Sequence, residues 1–200
     1  MNAVEARGGN ATFELHLRRR PFFLYPGGHH AIRPWGDRLD AIYPGGRESI
    51  RHLGDRAGFS FNFNAPLSDT MDSHRLYVWA ERQGVGKGEA LAQAVGHQYF
   101  EKAQALSDRA MLCGCAAVVG LDAEAARQYL ESDAGYDVVE QEVQDNLRLG
   151  IHSIPVFIFR SAGLEAVVHG SADVERFGQV LDEMLAAAAA KGEEAPKQEL

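Results

Sequence analysis

The sequence predicts an α/β fold in which a small β-sheet is interrupted by a long all-helical insertion. Three observations support this fold class. Pro155 opens a short β-rich segment, which a second strand and an amphipathic helix follow. Alternating apolar residues between 11 and 24 indicate an earlier strand. Between these two parts, residues 46–150 carry a succession of helical patterns.

The C-terminal β-unit has the clearest pattern. Gly150 ends a helical segment, and Pro155 fits the first position of a strand because proline cannot donate to a sheet ladder. Residues 156–159 are β-branched or aromatic throughout, which is typical of a buried strand. A second strand over 166–169 follows a turn at 161–163. The unit then closes with an amphipathic helix over 174–181.

The N-terminal third combines one strand with loops. Residues 11–24 predict a strand that runs into a proline turn. The prolines and glycines between 26 and 46 predict a loop-rich connection, and residues 47–54 a short helix. Residues 59–64 alternate like a strand before Pro66.

Helical patterns fill the middle of the chain. The first runs from an N-cap at Ser68 or Asp69 to about Gln83, and the others cover 89–103, 108–119, 123–131 and 137–149. We therefore expect residues 11–45 and 151–185 to form the sheet and its C-terminal helix. Residues 46–150 form the helical insertion, and residues 186–200 a fraying helix and disordered tail.

Composition excludes some classes of function. The chain has 20 basic and 28 acidic residues, and a formal charge of −8 argues against nucleic acid as a partner. No stretch approaches the ~20 apolar residues of a membrane span, and residues 1–10 lack the apolar core of a signal peptide. Two cysteines exclude a disulfide framework and fit a reducing, cytoplasmic compartment. The tail Lys197-Gln198-Glu199-Leu200 differs at Gln198 from the Lys-Asp-Glu-Leu signal, so the endoplasmic reticulum stays open as the alternative.

Cys113 and Cys115 are the weak redox candidates. On a helix, residues i and i+2 point about 200° apart, so a bridge between them needs local unwinding, which Gly114 permits. Core packing of two small side chains is the simpler interpretation. We expect no metal site, because His97 lies too far along the chain to complete a ligand pattern.

Three ordered motifs carry a family resemblance: residues 20–26, residues 74–76 with Trp79 and Ala80, and residues 154–157. Their order and spacing resemble the DsbA-like thioredoxin family over roughly residues 11 to 185. The resemblance is closest to FrnE-type oxidoreductases, 2-hydroxychromene-2-carboxylate isomerases and kappa-class glutathione transferases. It implies a thioredoxin-like fold with an inserted helical subdomain, and thiol–disulfide oxidoreduction on a thiol- or disulfide-bearing protein or a small-molecule thiol. Glutathione-dependent isomerase or transferase chemistry, a non-catalytic binding module and a homodimer are the alternatives it leaves open.

The resemblance also implies a substrate site. Ile154 and Pro155 would form the cis-proline loop beside the active site, with His152 and Ser153 facing the same cleft. His74 would approach the substrate from its helix. The plainer interpretations are a trans proline that starts an ordinary strand and a histidine at the edge of the core.

A second implied site concerns glutathione, which is the co-substrate of the kappa-class relatives. The segment around Ser171 and Asp173 resembles the loop that holds the γ-glutamyl group of glutathione in those enzymes. Helix N-terminal amides bind carboxylates, which is the physical basis of such a site. The plainer interpretation is that Ser171 or Asp173 caps its own helix. No other cofactor is expected.

The start of the chain departs from the family pattern. A DsbA-like chain places an active-site Cys-x-x-Cys, or a serine equivalent, on a βα unit before the strand predicted over 11–24. Residues 1–12 contain no cysteine, so the low-pKa thiolate of a helix N-terminus has no counterpart there. We expect either an incomplete product of a longer gene, which we favour, or a lost reaction. We expect the chain as written to be inactive and marginally stable, because the missing strand lies in the middle of the sheet.

Overall fold

The computed structural model describes residues 3–5, 12–24, 34–161 and 163–193. The described residues form four strands and eight helices. They divide into two compact units. The first comprises His16–Asp145, and the second combines Asn2–Leu15 with Asn146–Leu200.

The first unit is helical. Its helices are α1 (Trp35–Ile42), α2 (Gly46–Ala57), α3 (Met71–Glu81), α4 (Lys87–Phe100), α5 (Arg109–Val118), α6 (Ala123–Glu131) and most of α7 (Tyr136–Arg148). The predicted patterns over 108–119, 123–131 and 137–149 are confirmed to within one residue at each end. Local chemistry explains this agreement, since the carboxylates of Asp108 and Asp122 each accept two backbone N–H groups at the start of α5 and α6.

The core of the first unit lies among α3, α4, α5 and α6. Leu76, Leu91, Leu112 and Leu130 are at most 1% exposed and belong to one cluster. The alanines of that cluster are fully buried as well, which lets the helix backbones approach closely. The middle of the chain is therefore a helical bundle with its own apolar core.

Helix α1 lies where the sequence predicts a loop, and residues 59–64 form no strand, so both predictions are wrong. Tertiary contacts explain the two differences together. The backbone N–H of Trp35 donates to the Ala65 carbonyl at 2.9 Å, and its indole N–H donates to the Asn62 carbonyl at 3.0 Å. The Trp35 ring lies 4.8 Å from the Phe63 ring and 5.8 Å from the Phe100 ring. The alternating aromatic residues thus pack around one tryptophan instead of forming a sheet.

The strand predicted over 11–24 is wrong for most of its length. Among the described residues 12–24, only Thr12–Glu14 (β2) is a strand, and it pairs antiparallel with Ala3–Glu5 (β1). The described residues after β2 contact helices instead of another strand. The Arg19 N–H donates to the Tyr77 hydroxyl at 2.6 Å, and its guanidinium pairs with Glu89. A strand forms only where a neighbouring strand accepts and donates its backbone hydrogen bonds.

The second unit carries the β-hairpin that the sequence predicts. Strands β3 (Val156–Ser161) and β4 (Leu164–His169) pair antiparallel, with Ile158 opposite Val167. Helix α8 (Val174–Glu193) packs through Val180 and Met184 against Val168 of β4. The alanine-rich run belongs to α8, whereas residues 194–200, including the Lys197-Gln198-Glu199-Leu200 motif, lie outside the described residues.

Candidate functional site

The segment before β3 is an exposed predicted site. His152, Ser153, Ile154 and Pro155 are all exposed, and Ile154 is 51% exposed. The Ile154–Pro155 peptide bond is cis. The Gly170 N–H donates to the Pro155 carbonyl at 2.8 Å, so the hairpin holds this segment from one side. The structure therefore presents the four predicted residues together at the start of a strand.

One edge of β3 has no strand beside it within the described part of the chain. Peptide groups of an antiparallel strand alternate in direction. Because the Pro155 carbonyl points at β4, the N–H and C=O groups of Val156, Ile158 and Arg160 point away from it. An extended peptide can pair with groups of this kind.

Ser171 and Asp173 follow directly on the residue that bonds to Pro155. Ser171 is exposed. Asp173 Oδ1 accepts the Arg176 N–H at 2.8 Å, and the Asp173 carbonyl accepts the Phe177 N–H. The Asp173 carboxylate thus caps the start of α8, and one of the amides that would attract a ligand carboxylate is already bonded.

His74 lies on α3 in the first unit, apart in sequence from the Pro155 segment. Its ring packs edge-on against Phe23, with 5.5 Å between the ring centroids. Burial lowers the pKa of His74 to about 4, although a hydrogen bond with the Phe22 backbone opposes the shift. The imidazole is therefore neutral near pH 7 and ties the segment after β2 to α3.

Cys113 and Cys115 lie inside α5, away from its N-terminal turn. Both are free thiols. Cys115 is 4% exposed, and its thiol donates to Met111 Sδ at 3.6 Å. Burial raises the pKa of both thiols. Both side chains therefore have the properties of core cysteines, and not those of an activated nucleophile.

Arg75 is the buried charged group to which sequence reasoning gave no role. Its side chain is fully buried, and its guanidinium lies 4.0 Å from the centroid of the Tyr136 ring. It donates to four backbone carbonyls around the end of α6 and to Asp72, at distances from 2.5 to 3.4 Å. The sequence offered one signal of this burial, because Arg75 lies four residues before Trp79 and so on the buried side of α3.

Two broader features bear on function. The described residues contain no group of three histidine, cysteine, aspartate or glutamate side chains that could hold a metal ion. None of the helices formed by these residues has the length and apolar character of a bilayer span.

Comparisons with known proteins assign the family. The model of the DSBA-like thioredoxin domain matches residues 7–182. A probable DsbA oxidoreductase from Streptomyces coelicolor is similar in structure, with a TM-score of 0.71 and 28% identity over 90% of this chain and 77% of that chain. The cytosolic disulfide reductase DsbM from Pseudomonas aeruginosa has a TM-score of 0.55 and 18% identity over 78% of this chain and 80% of that chain. None of the curated proteins matches. This chain belongs to the DsbA-like thioredoxin domain family and has its thioredoxin-like, helix-rich fold.

Proposed function

We propose that this chain binds substrate for thiol–disulfide oxidoreduction and that neither of its own cysteines is the reacting thiol. The observation that carries this is the contrast between two regions. The Ile154–Pro155 segment is exposed, and no described strand pairs with the adjacent edge of β3, whereas Cys115 is buried in a helical core and Cys113 packs against it. The family match gives the reaction type.

The thiol chemistry supports the second half of the proposal. Exchange proceeds by attack of a thiolate on a disulfide sulfur. The pKa of Cys115 is raised by burial alone. Cys113 has Arg127 and Arg109 nearby, which favour the thiolate, but burial is the largest influence on its pKa and two glutamates oppose the arginines. Both sulfurs are therefore protonated near pH 7, and the attacking thiolate comes from elsewhere.

The backbone supports the first half. A substrate chain passing Ile154 meets an exposed side chain and a strand edge whose peptide groups pair with no other strand among the described residues. Backbone-to-backbone hydrogen bonds do not depend on the substrate's side chains. Such binding therefore suits a reaction on varied disulfide-bearing proteins. His152 and Ser153, in the same exposed segment, complete the proposed substrate contacts.

Peptide binding tests the first half. We expect a labelled, extended peptide with one blocked cysteine to bind the wild-type chain in a fluorescence anisotropy titration. Ile154→Arg weakens binding by about tenfold or more, because it places a long charged side chain on the docking surface. Val174→Arg is the matched control, since Val174 is 79% exposed on α8 and distant in sequence from the site. Failure of the wild type to bind, or equal loss in both variants, contradicts the proposal.

Insulin reduction with a dithiol donor tests the second half. We expect no turnover above the uncatalysed rate from the wild type, and no change in a variant with both Cys113→Ser and Cys115→Ser. Turnover that either serine substitution abolishes would make the cysteine pair an active site.

The glutathione-dependent alternative gains no support from the region around Ser171. Asp173 already occupies an N-terminal amide of α8 and puts a negative charge where the γ-glutamyl carboxylate would lie. Calorimetry with reduced glutathione separates the two functions: we expect no heat of binding.

Three narrower assignments belong to the same proposal. The three motifs that carry the resemblance favour the FrnE-type branch of the family. The two unpaired thiols fit a reducing, cytoplasmic compartment. We propose a homodimer as the assembled form.

A further inference from the structure

An exposed apolar patch lies at the end of α2 in the helical unit. Gly58 ends the helix in a left-handed turn (φ 79°), and the Phe59 N–H donates to the Gly54 carbonyl at 2.8 Å. In this Schellman arrangement, the residue after the glycine favours apolar contact with the last turn of the helix, here between Phe59 and Leu53. Both side chains remain open to solvent, because Leu53 is 56% exposed and Phe59 is 52% exposed.

The end of α4 extends the patch. Phe100 is 40% exposed, and the Phe61 ring lies between Phe100 and Phe59, with 5.6 Å and 6.4 Å between the ring centroids. Leu53, Phe59 and Phe100 form the apolar patch. All three lie within residues 34–161, which the structure describes without a gap. The patch therefore belongs to the helical unit and involves neither strand of the hairpin.

The backbone beneath the patch is fixed by packing. The Asn62 N–H donates to the Phe100 carbonyl at 2.6 Å, which joins the segment after α2 to the end of α4. Gly54 permits the close approach of Phe61, because a Cβ at position 54 would lie 2.6 Å from the Phe61 ring. The rings thus hold their positions before any partner binds, which reduces the entropy cost of binding.

Arg56 supplies a cation beside Leu53. It lies three residues further along α2 and so on the same side of the helix, whereas Asp55 points about 200° away from Leu53. Arg56 is exposed, and its guanidinium forms no ion pair or hydrogen bond with any residue that the structure describes. Its charge is therefore available to a partner.

Lys102 supplies a second cation, next to Phe100. Its side chain is exposed and lies just past the end of α4. Between the two residues, the Glu101 carboxylate is only 19% exposed and lies 2.7 Å from His97 Nδ1. Positive charge therefore stands at both ends of the patch, although the whole chain has a formal charge of −8.

We propose that the apolar patch docks an apolar segment of a partner protein whose flanking residues are acidic. Burial of the three side chains supplies the attraction, and the two cations select the charge of the flanks. A surface of this size suits weak, transient binding. The proposal goes beyond substrate binding at the Ile154–Pro155 segment and does not depend on it.

Two labelled peptides test the charge requirement. Both have the same core of leucine and phenylalanine, and they carry either aspartates or lysines at their two ends. In a fluorescence anisotropy titration of the wild-type chain, we expect the aspartate peptide to bind at least about tenfold more tightly than the lysine peptide. Added salt reduces this preference, because it screens exposed charges. Equal binding of the two peptides, or no binding of the aspartate peptide, overturns the proposal.

Substitutions on α2 locate the binding surface. Leu53→Gln weakens binding of the aspartate peptide about tenfold, because it removes apolar area from the patch. Arg56→Glu abolishes the preference for the aspartate peptide, because it replaces one of the two cations with an anion. Val118→Gln is the matched control, since Val118 is 80% exposed on α5, and we expect its affinity to equal that of the wild type. Equal affinities of Leu53→Gln and Val118→Gln, or an unchanged preference in Arg56→Glu, contradict the docking surface.

Stability and substrate binding are measured on the same variants. The urea midpoints of Leu53→Gln and Arg56→Glu stay close to that of the wild type, because both side chains are exposed. The titration with the cysteine-blocked peptide is unchanged in both variants, which separates this surface from the Ile154–Pro155 segment. Parallel loss of both peptides in Leu53→Gln would assign them to one site and overturn the inference.

Discussion

Replacing Arg75 tests how the helical unit holds the end of α6. The guanidinium donates to the carbonyls of Tyr129 at 3.0 Å, Leu130 at 3.4 Å, Ser132 at 2.5 Å and Ala134 at 2.9 Å. The last carbonyls of a helix have no intrahelical partner, and a cation there also meets the negative end of the helix dipole. One side chain therefore satisfies four carbonyls at this C-terminus, where the Ser132 hydroxyl is a second donor, to the Tyr129 carbonyl at 2.8 Å.

The size of the destabilisation follows from the backbone carbonyls and the carboxylate that lose their partner in Arg75→Met. Methionine matches the apolar stem but donates nothing. Leu130 is buried, so its carbonyl loses a partner where water has poor access, at about 1–3 kcal/mol, whereas the Tyr129 carbonyl keeps the hydrogen bond from the Ser132 hydroxyl. Ser132 and Ala134 are exposed, and water replaces the arginine there. Loss of the ion pair with Asp72 adds to the cost, since breaking a buried pair destabilises by about 3–5 kcal/mol. Because these effects overlap, we expect a loss of about 3–5 kcal/mol.

Chemical unfolding followed by far-UV circular dichroism measures this loss. We expect Arg75→Met to lower the urea midpoint strongly, since about 3–5 kcal/mol is a large part of a stability of about 5–15 kcal/mol. We expect the urea midpoint of Arg75→Lys to lie between those of the wild type and Arg75→Met, because lysine keeps the charge but not the planar guanidinium. Arg127→Ala is the control: that arginine pairs with Glu124 and Glu131 on the surface, and we expect an almost unchanged midpoint. Equal, small changes in Arg75→Met and Arg127→Ala would refute the reasoning.

Three further predictions concern the same bundle and the pH range in which it is stable. The folded-state pKa of His74 is about 4, below its ordinary 6.5, so stability should fall by up to about 3 kcal/mol as pH is lowered from about 6.5 to 4; His74→Gln removes that slope in unfolding curves measured across pH. Gly135→Ala destabilises more than Gly45→Ala, because both have positive φ but only at Gly135 would a Cβ meet the Tyr129 hydroxyl; Tyr129→Phe should recover part of the difference in a double-mutant cycle. Asp122→Ala lowers the free energy of unfolding by about 1 kcal/mol through loss of the α6 cap, and an unchanged midpoint would show that the cap is dispensable.

Local patterns determined the helices of the bundle and the C-terminal hairpin. Asp108 and Asp122 cap helices within three residues of themselves, and the apolar spacing of α5, α6 and α7 lies within each helix. Pro155 marked the start of β3 because its effect on a strand does not depend on distant residues. The exposed Ile154–Pro155 segment could therefore be located from the sequence as a candidate site.

Other parts of the candidate site depended on partners that the sequence does not name. The acidic Asp173 was open to two interpretations until its bond to the Arg176 N–H placed it as a cap. His74 could be assigned to a helix, but its low pKa follows from burial, and the Phe23 ring that packs on it lies about 50 residues earlier in the chain.

Only the tertiary structure decided where the aromatic and basic residues of the N-terminal third belong. Trp35 gathers Phe61, Phe63 and Phe100, so a segment with strand periodicity becomes part of an aromatic cluster. Arg19 binds Glu89 and the Tyr77 hydroxyl, so the residues after β2 pack against helices although their alternating pattern is typical of a strand. Periodicity reports which side of a segment is apolar, and a strand also needs a second strand at hydrogen-bonding distance. Whether a second strand lies at that distance depends on the fold of the whole chain, so no local window of sequence predicts it.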